Sequence, residues 1–190
     1  MVGWPRLGVL LCGVAFTLSC ARDPALRPRP LPRLAAERRE SIDALAARLF
    51  DGLRAGRPEE LLVATGELAG MIGPEAQLRV SQQRGRPLSS FSAESFRAAW
   101  GPARYAGFCA QGAREEAAKR GLGLRSPGWV LERLLVVAEG GLARSASWVE
   151  GEFVYTEQGW QVLNLRRIEP PRFGHADLDL APCDVEAGIR

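Results

Sequence analysis

The feature that most constrains this chain is a change of hydrophobic period at Trp129. From there, residues 129–138 form an apolar, β-branched run, residues 145–155 alternate, and residues 160–168 form a third run. In the middle run Val149, Phe153 and Tyr155 fall on one side, and Trp148, Glu150 and Glu152 on the other. Period-2 alternation places successive side chains on opposite faces of a strand. The breaks between runs are Glu139-Gly140-Gly141 and Glu157-Gln158-Gly159, short glycine-containing turns that suit antiparallel neighbours. Three strands in an antiparallel meander follow, ended by Pro170-Pro171.

Upstream the period is helical. Ile42, Leu45, Ala46, Leu49, Phe50 and Leu53 recur at the i, i+3, i+4, i+7 spacing of one buried face, and Gly52 and Gly56 weaken the helix end. Pro58 suits the first turn of a second helix, with Glu59 and Glu60 at its positive end. That helix is expected to carry Leu61, Leu62, Leu68, Met71 and Ile72 and to stop at Gly73-Pro74. Residues 74–90 are polar and read as a loop with a short strand near 78–81. Ser92 is a good N-cap, with Phe91 and Phe96 spaced as a hydrophobic staple. The helix it opens breaks at Gly101-Pro102, resumes through Tyr105, Phe108 and Cys109, and runs along 113–120 to Gly121.

Helices followed by a long meander imply an α+β domain, with N-terminal helices packed on one face of a curved antiparallel sheet of three strands or more. The segment Leu49-Phe50-Asp51-Gly52-Leu53-Arg54-Ala55-Gly56 opening into Glu59-Glu60-Leu61-Leu62, with the closing Gly159-Trp160-Gln161-Val162-Leu163-Asn164-Leu165, resembles the NTF2-like (SnoaL-like, cystatin-like) superfamily. The likeness spans roughly residues 37–169. It implies a cone with a pocket between sheet and helices and leaves activity open, because that fold hosts both enzymes and binding modules.

The N-terminus carries an address. Residues 1–19 hold one charge, Arg6, before about a dozen apolar residues. That is too short for a bilayer span of about 20 residues and is the length of a signal-peptide core. Phe16-Thr17-Leu18-Ser19-Cys20 resembles a bacterial lipobox, which implies cleavage before Cys20 and a diacylglyceryl group on its thiol with fatty acyl chains such as palmitate. Thr17 and Leu18 depart from the commonest form of that motif. Ala21 rather than Asp follows the cysteine, so the resemblance implies the outer membrane as the anchor site in a cell that has one. Residues 20–34, with prolines at 24, 28, 30 and 32, read as an extended tether, residues 35–170 as the domain, and residues 171–190 as a tail packed on it.

Of the four cysteines, Cys12 leaves with the signal and Cys20 is the acylated one, which leaves Cys109 and Cys183. Export to an oxidising compartment favours a disulfide between them; two buried free thiols or a thiol nucleophile are the other readings. The formal charge of +3 falls to +2 without Arg6, too small to point to nucleic acid.

Candidate sites are few. His175, Asp177 and Asp179 alternate and would share one side of an extended segment, where a cation or a general base would use them, although Leu178 and Leu180 on the other side suit an edge strand with its polar side in water. Glu150 and Glu152 share a strand face, as paired acids or, more simply, as a solvated face balanced by Arg133, Arg144, Arg166 and Arg167. Trp129, Trp148 and Trp160, joined by Trp100 and Tyr105, would line an apolar pocket or else fill the core. No cofactor or metal set is read. The expectation is an envelope-anchored module that binds a protein or small ligand without catalysis. An NTF2-like enzyme using pocket acids or His175, and a structural spacer, are the alternatives.

Overall fold

In the computed structural model the chain divides into two compact units, Met1–Pro30 and Leu31–Arg190. The described residues, 36–88, 90–140, 143–174 and 185–187, all belong to the second. It is an α+β fold. Four helices, α1 (Ala36–Ala55), α2 (Thr65–Met71), α3 (Pro74–Arg84) and α4 (Ala93–Trp100), precede seven strands. These are β1 (Arg104–Gln111), β2 (Arg114–Glu116), β3 (Gly128–Gly140), β4 (Ala143–Thr156), β5 (Gly159–Ile168), β6 (Arg172–Gly174) and β7 (Val185–Ala187). The sheet is antiparallel with order β5-β4-β3-β1-β7. β2 pairs with the start of β3, and β6 with the start of β4.

The meander expected from 129 onward is present, with β4 two residues longer at its start and one at its end than the alternating run 145–155. Helix α1 buries the predicted face: Ile42, Leu45, Ala46, Leu49 and Leu53 are fully inaccessible and Phe50 nearly so. Its seam with β5 is fixed by Arg48 donating to the Trp160 carbonyl at 2.9 Å and Trp160 Nε1 donating to the Arg38 carbonyl at 3.1 Å. Ser92 caps α4 by accepting from Ser95 N, and the Phe91–Phe96 staple closes with ring centroids 5.6 Å apart.

Four expectations are corrected. Residues 104–120 hold strands, not helix: Phe108 belongs to the α1 side of the sheet and Cys109 to the other, and both are fully buried. A strand covered on both faces loses its alternation, and a short apolar run then reads equally well as a helix. Residues 74–84 are helix, not loop. Pro74 stands in the first turn after Gly73, Arg84 in the last, and only Ala76 and Val80 are buried. The expected second helix is split into a 3-10 turn (Pro58–Leu61) and α2, because Leu62 and Val63 run extended beside β5 and Val63 N donates to the Val162 carbonyl at 2.9 Å.

The last correction is the placing of helices on one face. α1 and α4 pack with Leu131, Phe153 and Val162, whereas α2 and α3 pack with Val130, Val154 and Leu163. These are consecutive residues on β3, β4 and β5, so the two helix pairs cover opposite faces. The link through Leu62–Val63 passes the β5 side of the sheet, and residues 85–92 return the chain to the α1 face.

Leu49 is wholly enclosed by this arrangement. Leu49→Ala is expected to lower unfolding free energy by about 2–5 kcal/mol, measured by urea titration with an unchanged m-value.

Candidate functional site

An open groove of about 1050 Å³ lies where β3 begins and β4 turns into β5. One wall is α2, stitched to the 123–125 segment: Gly73 N donates to the Gly123 carbonyl and Arg125 N to the Met71 carbonyl, each at 2.9 Å. Gly66 and Gly70 leave this wall bare, since a Cβ at either would meet no atom within 4 Å. The other wall is the β4–β5 turn, held by Thr156, whose hydroxyl donates to the Gly159 carbonyl at 3.0 Å and accepts from Gln158 N at 3.2 Å. Gly159 takes φ +88° there, a conformation that favours glycine. The aromatic part is Trp129 and Tyr155, with the Arg38 guanidinium 5.1 Å from one ring centroid and 5.6 Å from the other. Glu67, Glu115 and Glu157 supply three carboxylates against that one arginine.

Of the five aromatics singled out in the sequence, only Trp129 lines this groove. Trp160 is buried beside it, its ring edge-on to Tyr155 at 5.6 Å. Trp100 is core: its Nε1 donates to Ser145 Oγ at 2.9 Å, and its ring packs on Phe50 and Phe96 at 5.2 and 4.9 Å. Tyr105 donates to Asp43 Oδ1 at 2.6 Å, and burial together with that carboxylate drives its hydroxyl pKa far up, so it stays protonated. Trp148 is on the opposite face, among Cys109, Leu135, Val137 and Ala146, with the Arg133 guanidinium 4.7 Å above it. Between α1 and the sheet, Phe50, Phe96, Trp100 and Trp160 are buried in one core cluster.

The two carboxylates of β4 part company. Glu150 forms an ion pair with Arg133 at 3.2 Å, the cross-strand balance expected of it. Glu152 instead enters a second cavity, of about 150 Å³, on the α3 side of the sheet. Its Oε2 is buried with no hydrogen-bond partner among the described residues. Arg79, Arg114, Arg166 and Glu132 complete the polar lining. This is where strand register breaks, at Leu131/Arg133 between β3 and β4, and at Glu150/Gly151 and Glu152/Phe153 between β4 and β5. Gly151 is required at the break, because a Cβ there would lie 2.4 Å from the Asn164 carbonyl oxygen. The loop wall is clamped at Leu122. Its N–H donates to a buried Glu116 oxygen, and its carbonyl accepts from Arg79 at 3.1 Å. Arg114 is held by Glu132 at 2.6 Å and by Glu116 at 3.1 Å.

Arg79 escaped the sequence reading because it stands on α3, which the sequence reads as loop. Arg38 escaped it because it stands outside the apolar stripe of α1. His175, Asp177, Asp179, Cys20 and Cys183 lie outside the described residues; Cys109 is fully buried on β1, a strand rather than a central helix. Comparison with protein-family models, with curated proteins and with solved structures finds no match for this chain.

Desolvation raises the Glu152 pKa, against the pull of Arg79 and Arg166 and with help from Glu116 and Glu132. A carboxyl with a raised folded-state pKa contributes its stability below the unfolded value and loses it as pH rises through the folded one. Glu152→Gln is therefore expected to melt higher than wild type at neutral pH, with the gap closing in acid; a gap that widens on acidification would contradict the burial argument.

Proposed function

We propose that the chain is an envelope lipoprotein, anchored through a lipidated Cys20, whose domain binds a partner protein or small ligand in the groove beside Trp129. The carrying observation is the groove itself: an open concavity with two half-buried aromatic residues, a bare helix wall and an acidic rim. Aromatic rings present large rigid contact area at little entropic cost, and such residues dominate binding energy at interfaces. The lipobox-like segment 16–20 supports the anchor, since two or more acyl chains hold a protein firmly at a bilayer. Among the described residues no helix is long and apolar enough to cross a membrane. The proposed Cys109–Cys183 disulfide belongs to the same reading, because β7 pairs Val185 with Ala110 and so ties a residue two positions from Cys183 beside Cys109.

An NTF2-like assignment is part of the proposal. Its support is the order of elements: a long helix ending at Gly52–Gly56, further helices, and a closing meander whose last strand begins Gly159-Trp160.

Two measurements test this function. Cys20→Ser is expected to move the protein from the membrane to the soluble fraction; unchanged partitioning refutes the anchor. A photo-crosslinking residue at Gln158, on the groove, is expected to give a discrete adduct in the producing cell that one at exposed Leu78 on α3 does not. Trp129→Ala should weaken that adduct's formation roughly 5- to 30-fold, the effect of losing an aromatic anchor worth about 1–2 kcal/mol. Equal adducts at 158 and 78, indifferent to Trp129, would remove the groove from the proposal.

A further inference from the structure

We infer that the groove beside Trp129 takes an extended, basic segment of another protein, a chain that presents arginine or lysine side chains. This rests on the reading of the groove as a binding site and adds the chemistry of its partner.

Charge singles the groove out. Over the whole sequence basic residues outnumber acidic ones, 25 to 22, yet here Glu67, Glu115 and Glu157 face Arg38 as the one base of the lining. The carboxylates come from three elements: α2, β2 and the β4–β5 turn. All three residues are exposed, and among the described residues their side chains form no hydrogen bond or ion pair. By contrast Asp51, Glu60, Glu139 and Glu150 each hold an arginine. Arg38 does not neutralise the rim, because its guanidinium lies over the rings of Trp129 and Tyr155 and pairs with no carboxylate among the described residues.

The helix wall gives the second ground. α2 has seven residues and two of them are glycine, which weakens a helix. The fold asks for neither: both lie outside the positive-φ region, and a Cβ at 66 or 70 would meet no atom within 4 Å. Spaced four apart, they share one face of the helix. Bare backbone of this kind suits the close approach of another chain. On the facing side Glu115 is the cross-strand partner of Trp129, so carboxylate and indole stand side by side. An arginine or lysine stem laid along the indole brings its charge to that carboxylate.

Size and energetics point the same way. At about 1050 Å³ and open, the groove sits at the upper end of small-molecule pockets, roughly 300–1,000 Å³, and has room for several residues of a chain. The guanidinium of Arg38 has N–H groups to donate to that chain's carbonyls. Each exposed carboxylate contributes modestly, about two- to fivefold in affinity. The acidic rim therefore selects the partner, while Trp129 and the bare wall hold it. An anionic chain meets repulsion at the same rim.

The test is fluorescence anisotropy on the detergent-solubilised full chain with three labelled octapeptides, in which alanine alternates with arginine, with glutamine or with glutamate. The arginine peptide is expected to bind about tenfold tighter than the glutamine peptide, with the glutamate peptide weakest, and salt raised from about 50 to about 300 mM should narrow the gap. Glu67→Gln, Glu115→Gln and Glu157→Gln should each weaken the arginine peptide about two- to fivefold. Glu75→Gln, exposed on α3 and off the groove, should leave it unchanged. Gly70→Ala should melt higher than wild type yet bind the arginine peptide more weakly. Equal affinity for the arginine and glutamine peptides overturns the inference, as does tightest binding of the glutamate peptide or no binding of any. Equal losses from Glu75→Gln and Glu115→Gln overturn it too. The peptide comparison is read on unaltered protein, so it holds even where a variant does not fold. The two readings fail separately: a Gln158 adduct that persists beside such a result leaves the groove with a partner of other chemistry, whereas its absence removes the groove itself.

Discussion

The structure depends on one constraint: a sheet whose strands β3, β4 and β5 are apolar on both faces. Val136 and Val137 on β3, Phe153 and Val154 on β4, and Val162 and Leu163 on β5 are neighbours in sequence, point in opposite directions, and are all buried. At about 25 cal/mol per Å² of apolar surface removed from water, neither face can be left open. The N-terminal helices therefore divide between faces, α1 and α4 on one and α2 and α3 on the other. The Leu62–Val63 strap beside β5 follows from that division. Its extended backbone finds a partner in Val162, which also explains why the Pro58 helix does not run through to α2.

The same constraint sets what sequence could reveal. Where one face of an element is buried and the other is wet, as in α1, the period is clean and the buried residues are those the spacing marks. The β3–β5 meander was legible for a different reason: its turns carry glycine, its first run is β-branched and its middle run alternates. Legibility fails where burial is two-sided or very thin. β1 buries Phe108, Cys109 and Ala110 in succession, so no period survives. α3 buries only Ala76 and Val80 and exposes Leu78, so its stripe is too thin to stand out among glutamines and arginines. Its Glu, Ala, Gln, Leu and Arg residues are good helix formers behind a proline in the first turn, a signal that a search for an apolar stripe passes over.

The candidate sites divide along the same line. Trp129 and Tyr155 were visible as strand aromatics, but their neighbours Gly66, Gly70 and Arg38 come from helices whose placement no local pattern gives. The five aromatics of the sequence scatter because their indole and phenol groups find separate polar partners: Trp100 with Ser145, Trp160 with the Arg38 carbonyl, and Tyr105 with Asp43. A buried aromatic with a satisfied polar group is fixed in the core. Trp129 is half-buried, with an arginine over its face, and is the aromatic of the set that lines the groove.

Glu150 and Glu152 carry the point furthest. Strict alternation assigns both to one solvated face and stops there. A bulge shifts pairing by one residue on one strand only, so two side chains of equal parity can meet different neighbours. Here Glu150 meets Arg133, and two residues on Glu152 meets a cavity, its Oε2 buried without a hydrogen-bond partner among the described residues. The only sequence trace of that difference is Gly151 between them, where the Asn164 carbonyl approaches too closely for any Cβ. A glycine inside an alternating strand is a recognised sign of a bulge or close backbone approach. The residue that looks like a weak point in β4 thus marks where the sheet gives up regular pairing, and a polar cavity stands beside it.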